Sequence, residues 1–169
     1  MKRDRGFTLL ELLVVICVVA LLFGVALDRL LRVQELGERA AMEQNVAAIN
    51  SALVLKFAAY VIGGHPEKIA GELNQNPVHL LARPPQNYLG ELYAPDSKSL
   101  PRAAWYFDRQ SGDLIYLPER ARYLSASGVR PDELHFRVAL TEGRNEPGEP
   151  RELPQPFIAA SPPFTWQIE

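Results

Sequence analysis

A single carboxylate, Glu11, lies inside an apolar run from Phe7 to Leu27 and is the only charge among those 21 residues. A short basic leader, Met1-Lys2-Arg3-Asp4-Arg5-Gly6, precedes the run, and Glu11 is the fifth residue after its closing glycine. As an α-helix the run would extend about 32 Å, enough to cross a bilayer core of about 30 Å. A carboxylate held in such a segment costs about 3 kcal/mol or more, so it reads as a functional charge awaiting a partner.

Little else in the chain has the residue types and spacing for catalysis. His65, His79 and His135 are scattered, with no second ligand at helical or turn spacing, and belong at the surface or on strand faces. No nucleophile elbow, metal motif or phosphate loop frames the serines, histidines and acids. Gly63-Gly64 reads instead as a helix C-cap. Arg120, Arg122 and Arg130, near Glu119 and Asp132, read as a solvated and partly paired surface. Trp105, Tyr106 and Phe107 are expected in the core and on a sheet face rather than as a ligand platform. Neither an enzymatic activity nor a cofactor or metal site is expected.

The N-terminal residues resemble the type III signal of type IV pilins and of the pseudopilins of type II secretion. Gly6, Phe7 and Glu11 match that pattern residue by residue, and Leu12-Leu13-Val14-Val15-Ile16 matches in character. The resemblance implies that a prepilin peptidase cuts after Gly6 on the cytoplasmic side and methylates the new amine of Phe7. It also implies that Glu11 meets the Phe7 amine of a neighbouring subunit during assembly. Three other readings compete. A secretory signal peptide could end at Gly24-Val25-Ala26, although the run is long and Glu11 lies where its apolar region should begin. A lipoprotein site at Cys17 would need a small residue where Ile16 stands. A plain signal anchor leaves Gly6-Phe7 and Glu11 as coincidence. All of these readings hold the N-terminus in the cytoplasm through Lys2, Arg3 and Arg5. Some major pseudopilins bind calcium in an acidic C-terminal loop, but Glu142, Glu146, Glu149 and Glu152 lie among prolines and define no coordination loop here.

The elements that must position these residues follow from composition and periodicity. The chain has 169 residues, 47% apolar and 22% charged, which fits one anchor and one modest head. Roughly 100 residues remain for that head once the anchor and a stalk are set aside, enough for one small core. The net charge is −2, and removing the leader, which carries +2, would leave −4. That balance gives no basic footprint for nucleic acid. Cys17 is the only cysteine, so no intramolecular disulfide can form. The chain thereby departs from the disulfide-stapled pilins and stands nearer the disulfide-free pseudopilins.

A helix is expected from about 7 to 62, on the order of 84 Å long. Asp28-Arg29 mark the water interface, and Leu30, Val33, Leu36 and Ala40 continue a narrow stripe. Val46, Ile49, Leu53, Phe57 and Tyr60 then recur at spacings of three and four, with Ala47, Val54, Ala58 and Val61 widening the face. Gly37 is the weak point, and Gly63-Gly64 before Pro66 is the stop. Short helices are expected at Glu67 to Leu73 and at Asn76-Pro77 through Leu81, in an otherwise turn-rich stretch from His65 to Pro101. Beyond it, residues 104–107 and 114–117 suggest a hairpin, and 134–140 alternates as a half-buried strand. Phe164, Trp166 and Ile168 alternate in the same way. Residues 144–163 hold six of the 14 prolines and read as an extended surface loop.

This gives an α+β, pilin-like fold: a long N-terminal helix, half membrane-spanning and half docked on a small antiparallel sheet. The divisions are a leader at 1–6, a membrane or filament-core helix at 7–27, an amphipathic helix at 28–62 and a head at 63–169. The hairpin from Trp105 to Tyr116 resembles the aromatic hairpins of minor pilins. The leading reading is a structural subunit, a pseudopilin or minor pilin of a type IV pilus-like or type II secretion filament. Its expected partners are prepilin peptidase, other subunits, an inner-membrane assembly platform and lipid before assembly. It would sit in the inner membrane with a periplasmic head. A membrane-anchored periplasmic binding domain that never polymerises is the second reading, and an exported enzyme released at Ala26 the third.

Overall fold

The computed structural model describes residues 8–126, 131–141 and 153–168. The chain forms two compact units, Met1–Gly37 and Glu38–Glu169. One helix, α1 (Leu9–Ile62, 54 residues), supplies the described part of the first unit and the opening of the second. It is long and apolar enough to cross a membrane by length and composition. In the first unit its side chains from Leu9 to Leu27 are exposed, as befits a surface meant for an apolar surrounding rather than water. The first acid after this run, Asp28, pairs with Arg32 one turn on at 3.0 Å.

The second unit is an α+β head. Its strands are β1 (Tyr88–Leu92), β2 (Ala104–Asp108), β3 (Asp113–Leu117), β4 (Leu124–Ser125), β5 (Leu134–Leu140), β6 (Pro156–Ala160) and β7 (Thr165–Trp166). Five of them form one sheet in the order β1-β2-β3-β5-β6, and β4 pairs with β7 apart from it. The β2–β3 hairpin forms as expected, with Trp105 opposite Tyr116 and Gly112 supplying the left-handed turn residue at φ +73°. Met42, Ile49, Leu53 and Phe57 form the buried stripe of α1. The first three of these pack in one cluster with Trp105, Leu114, Tyr116, Phe136 and Val138. Trp105 lies at the centre of the aromatic contacts, 4.8 Å from Tyr116 and 5.4 Å from Phe136 between ring centroids.

Several expectations are corrected. Residues 144–163 are not one extended loop: β6 lies within them, while 142–152 fall outside the described residues. Proline is tolerated there because Pro156 opens the strand and β6 is an edge of the sheet. The sheet is mostly antiparallel rather than wholly so, because β1 runs parallel to β2. Its pattern was hidden by Gly90, a bulge residue with φ +98° in the middle of a five-residue strand. Ala47, Val54, Ala58 and Val61 do not widen the buried face of α1 but are exposed, so the core stripe is narrower. The C-terminal alternation yields only the two residues of β7, with Trp166 buried. The short helices at Pro66–Glu72 and Pro77–Leu80 are of the tighter 3₁₀ type.

The helix stop is built as Gly63-Gly64 demands. His65 N–H bonds to the Tyr60 carbonyl at 2.9 Å and Gly64 N–H to Val61 at 3.1 Å, with Gly64 at φ +76°. This pair of bonds is the Schellman arrangement that satisfies the last carbonyls of a helix. Asn50, on α1, accepts the Ile158 N–H of edge strand β6 at 2.8 Å. Together with the bulge in β1, that bond blunts both edges of the sheet against pairing with another chain.

Glu38 ties α1 to the end of β3. Its side chain is only 7% exposed. It accepts the Tyr116 hydroxyl at 3.0 Å and the backbone N–H groups of Glu119 and Arg120 at 2.7 and 3.0 Å. The Arg120 guanidinium lies 3.9 Å away. Burial first, and then the charge of Glu38, push the Tyr116 phenol well above its ordinary value, so it stays a donor. Glu38→Ala would strand two N–H groups and that hydroxyl. The full chain in detergent is expected to lose about 3 kcal/mol of stability, read as a lower unfolding temperature. An unchanged transition would show that this anchor contributes nothing.

Asp108 organises the loops on both sides of β2. Its carboxylate accepts the N–H groups of Ala94, Gln110 and Ser111 at 3.0, 3.0 and 3.3 Å. Burial alone would raise its pKa, but the bonds from Gln110, Ala94 and Ser111 outweigh that and hold it below the ordinary carboxylate value. A folded value below the unfolded one gives stability that is present above the ordinary carboxylate range and lost as pH falls through the folded value. Asp108→Asn should therefore cost about 1–2 kcal/mol at neutral pH, with the gap from wild type closing in acid. Urea unfolding of both proteins at pH 7 and pH 3 measures it.

Candidate functional site

The residues with the clearest chemical purpose gather at the start of α1. Thr8 precedes the helix, and its hydroxyl accepts the Glu11 N–H at 3.3 Å while its carbonyl accepts the Leu12 N–H at 3.1 Å. Thr8-Leu9-Leu10-Glu11 has the threonine-to-glutamate spacing of a capping box, with Glu11 three residues into the helix. Glu11 is the only acid of the first turn, where the unsatisfied N–H groups of the helix carry positive partial charge. The site therefore favours a carboxylate locally even though the flanking surface is apolar. Leu9 and Leu10 beside it are 83% and 69% exposed. Among the described residues the Glu11 carboxylate forms no ion pair. A charge presented this way at the end of a lipid-length apolar helix is suited to meet a cation brought by another molecule. Gly6 and Phe7 fall outside the described residues.

The remaining candidates are ordinary surface chemistry. His65 faces Glu67 and His79 faces Glu91, each at 3.3 Å. His135 lies between Asp113 at 3.3 Å and Glu133 at 3.6 Å on the sheet face away from the Leu134, Phe136 and Val138 core side. Asp113 also takes Arg137 at 2.7 Å. Among the described residues no group of histidines, cysteines and acids could hold a metal ion. Arg120 pairs with Glu119 at 3.0 Å, Arg122 lies over the Tyr123 ring, and Arg130 is outside the described residues, as are Glu142, Glu146, Glu149 and Glu152. Trp105, Tyr106 and Phe107 are all buried, so they are core and not an open platform. Cys17 is free and exposed on the apolar helix.

Sequence reasoning passed over two residues. Thr8 was legible as the first half of a threonine-to-glutamate cap, a signal read only for its acid. Glu38 gave no local signal, because its partners lie some eighty positions along the chain.

Compared with known families, residues 1–27 match the prokaryotic N-terminal methylation motif. The chain thus carries the signal of type IV pilins and pseudopilins, and that signal coincides with the start of the apolar helix. No curated protein and no solved structure matches it.

Proposed function

We propose that this chain is a structural subunit, a pseudopilin or minor pilin, of a type IV pilus-like or type II secretion filament. The observation that carries this reading is the methylation motif over residues 1–27, joined to an apolar helix that continues into an α+β head. Prepilin peptidase would cut between Gly6 and Phe7 and methylate the Phe7 amine. The precursor would wait in the inner membrane with its N-terminus in the cytoplasm, held there by Lys2, Arg3 and Arg5, and its head in the periplasm. On extraction the apolar surface of α1 would exchange lipid for the helices of neighbouring subunits, and Glu11 would meet the amine of a neighbouring Phe7.

Co-purification tests the assembly step. The processed chain, solubilised from membranes under mild conditions, is expected to bring with it other chains bearing the same N-terminal signal. Expression without the peptidase should abolish that association. A processed chain recovered only alone would favour a membrane-anchored domain that does not polymerise.

A further inference from the structure

One face of α1 in the head is chemically unlike a surface made for water. Between Gln44 and Ile62 the helix already gives one apolar stripe, Ile49, Leu53 and Phe57, to the core. The exposed residues of the same stretch are all uncharged too. Gln44, Ala48, Ser51, Leu55, Ala58 and Ile62 recur there at alternating spacings of four and three, a second seam on the side of the helix opposite the core stripe. Leu55 and Ile62 are 72% and 88% exposed, with Val54 beside them at 48%. A helix docked on a sheet normally carries charge on its far side, whereas one that is apolar all round is buried all round. The sheet covers only one side of this helix.

We infer that this second seam packs on the same seam of a second copy of the chain, as a parallel and symmetric pair of α1 helices in the membrane. The covering face must be uncharged, since an ionised group set against Leu55 or Ile62 would lose its water with nothing to meet it. The chain's own seam meets that requirement along its whole length. The anchor then fixes direction. Copies inserted the same way hold their helices parallel, and in a parallel pair each seam residue faces its own counterpart. Leu55 and Ile62 form apolar layers, while Ala48, Ser51 and Ala58 let the backbones come close between them. Gln44 faces Gln44, and two carboxamides satisfy each other because each both donates and accepts. A single polar layer of this kind fixes the register of a helix pair. A seam roughly 27 Å long buries less than the roughly 800 Å² per partner of a standard interface. Confining both anchors to one bilayer raises their effective concentration and offsets that shortfall. The pair is therefore reversible, and its two-fold symmetry closes on itself, so it holds subunits without starting a filament. The inference rests on the membrane anchoring proposed for this chain and not on filament assembly.

The test is disulfide trapping of the full chain carrying Cys17→Ala, in membranes of a strain without prepilin peptidase, where no filament forms. Ser51→Cys and Ala58→Cys, each alone, should give on mild oxidation a product of twice the chain mass. The yield should exceed that of Lys56→Cys by about tenfold, since Lys56 lies off the seam on the same helix with its side chain 41% exposed. Leu55→Glu sets two like charges face to face and should cut the Ser51→Cys product about tenfold. It should leave the unfolding temperature in place, because Leu55 is mostly exposed. The proposal is overturned if Ser51→Cys and Ala58→Cys do not both give the product, or if Lys56→Cys gives as much. It is also overturned if the product joins this chain to a different protein, or if Leu55→Glu changes nothing. Filament assembly is read separately, in a strain that has the peptidase, so either reading can fail without the other.

Discussion

Glu11→Ala is expected to be inserted and processed like wild type, yet to enter filaments about a hundredfold less well. Insertion should not suffer, because the change makes the membrane run more apolar. The helix start should also survive, since the cap runs from the Thr8 hydroxyl to the backbone N–H of residue 11, which alanine retains. What is lost is the charge. In an apolar filament core the Phe7 amine of the neighbouring subunit would be left desolvated without its partner, a penalty of about 3 kcal/mol or more. Glu11→Gln separates charge from shape: it keeps the size and hydrogen-bonding capacity and should fail nearly as badly. Thr8→Ala provides the opposite control, weakening the cap by about 1 kcal/mol while leaving the charge in place. Immunoblots of sheared filaments and of membranes from one strain separate processing from incorporation. Normal incorporation of the alanine variant would remove Glu11 from the assembly contact.

Gly6→Leu should act one step earlier and more completely, leaving essentially the whole pool as membrane-bound precursor. Glycine lets a backbone be approached closely by a catalytic centre, and a branched side chain at the scissile position removes that access. The precursor should retain the +2 charge of its leader and never expose the Phe7 amine. It should therefore also fail to incorporate, although Glu11 is intact. The two variants together give an ordered pair: one blocked before the amine exists, the other after. Complete processing of Gly6→Leu would place the cut elsewhere.

The features legible in the sequence were those written over short stretches. The Ile49-Leu53-Phe57 spacing, the Gly63-Gly64 stop and the alternation at 134–140 each reflect a local period or a backbone requirement, and each appears in the fold. What stayed hidden depended on distant partners. β1 is a strand because β2 lies beside it, while Gly90 erases its alternation. β6 is a strand despite its opening proline because β5 on one side and Asn50 on the other satisfy its backbone. Val54 and Val61 fit a helical stripe, but the sheet covers only the narrower face centred on Leu53. At the candidate site Glu11 was evident from its apolar surroundings, whereas Thr8 needed the geometry of the first turn to be seen as its cap.

As a filament subunit this chain would be trimmed at its leader and would work through the new terminus. Mass spectrometry of the mature protein's N-terminal peptide, recovered from membranes of a strain with an active prepilin peptidase, tests it most directly. The expected peptide begins at Phe7 and is heavier than its unmodified mass by one methyl group on the amine. A chain beginning at Leu27, or one retaining Lys2 to Gly6, would contradict it.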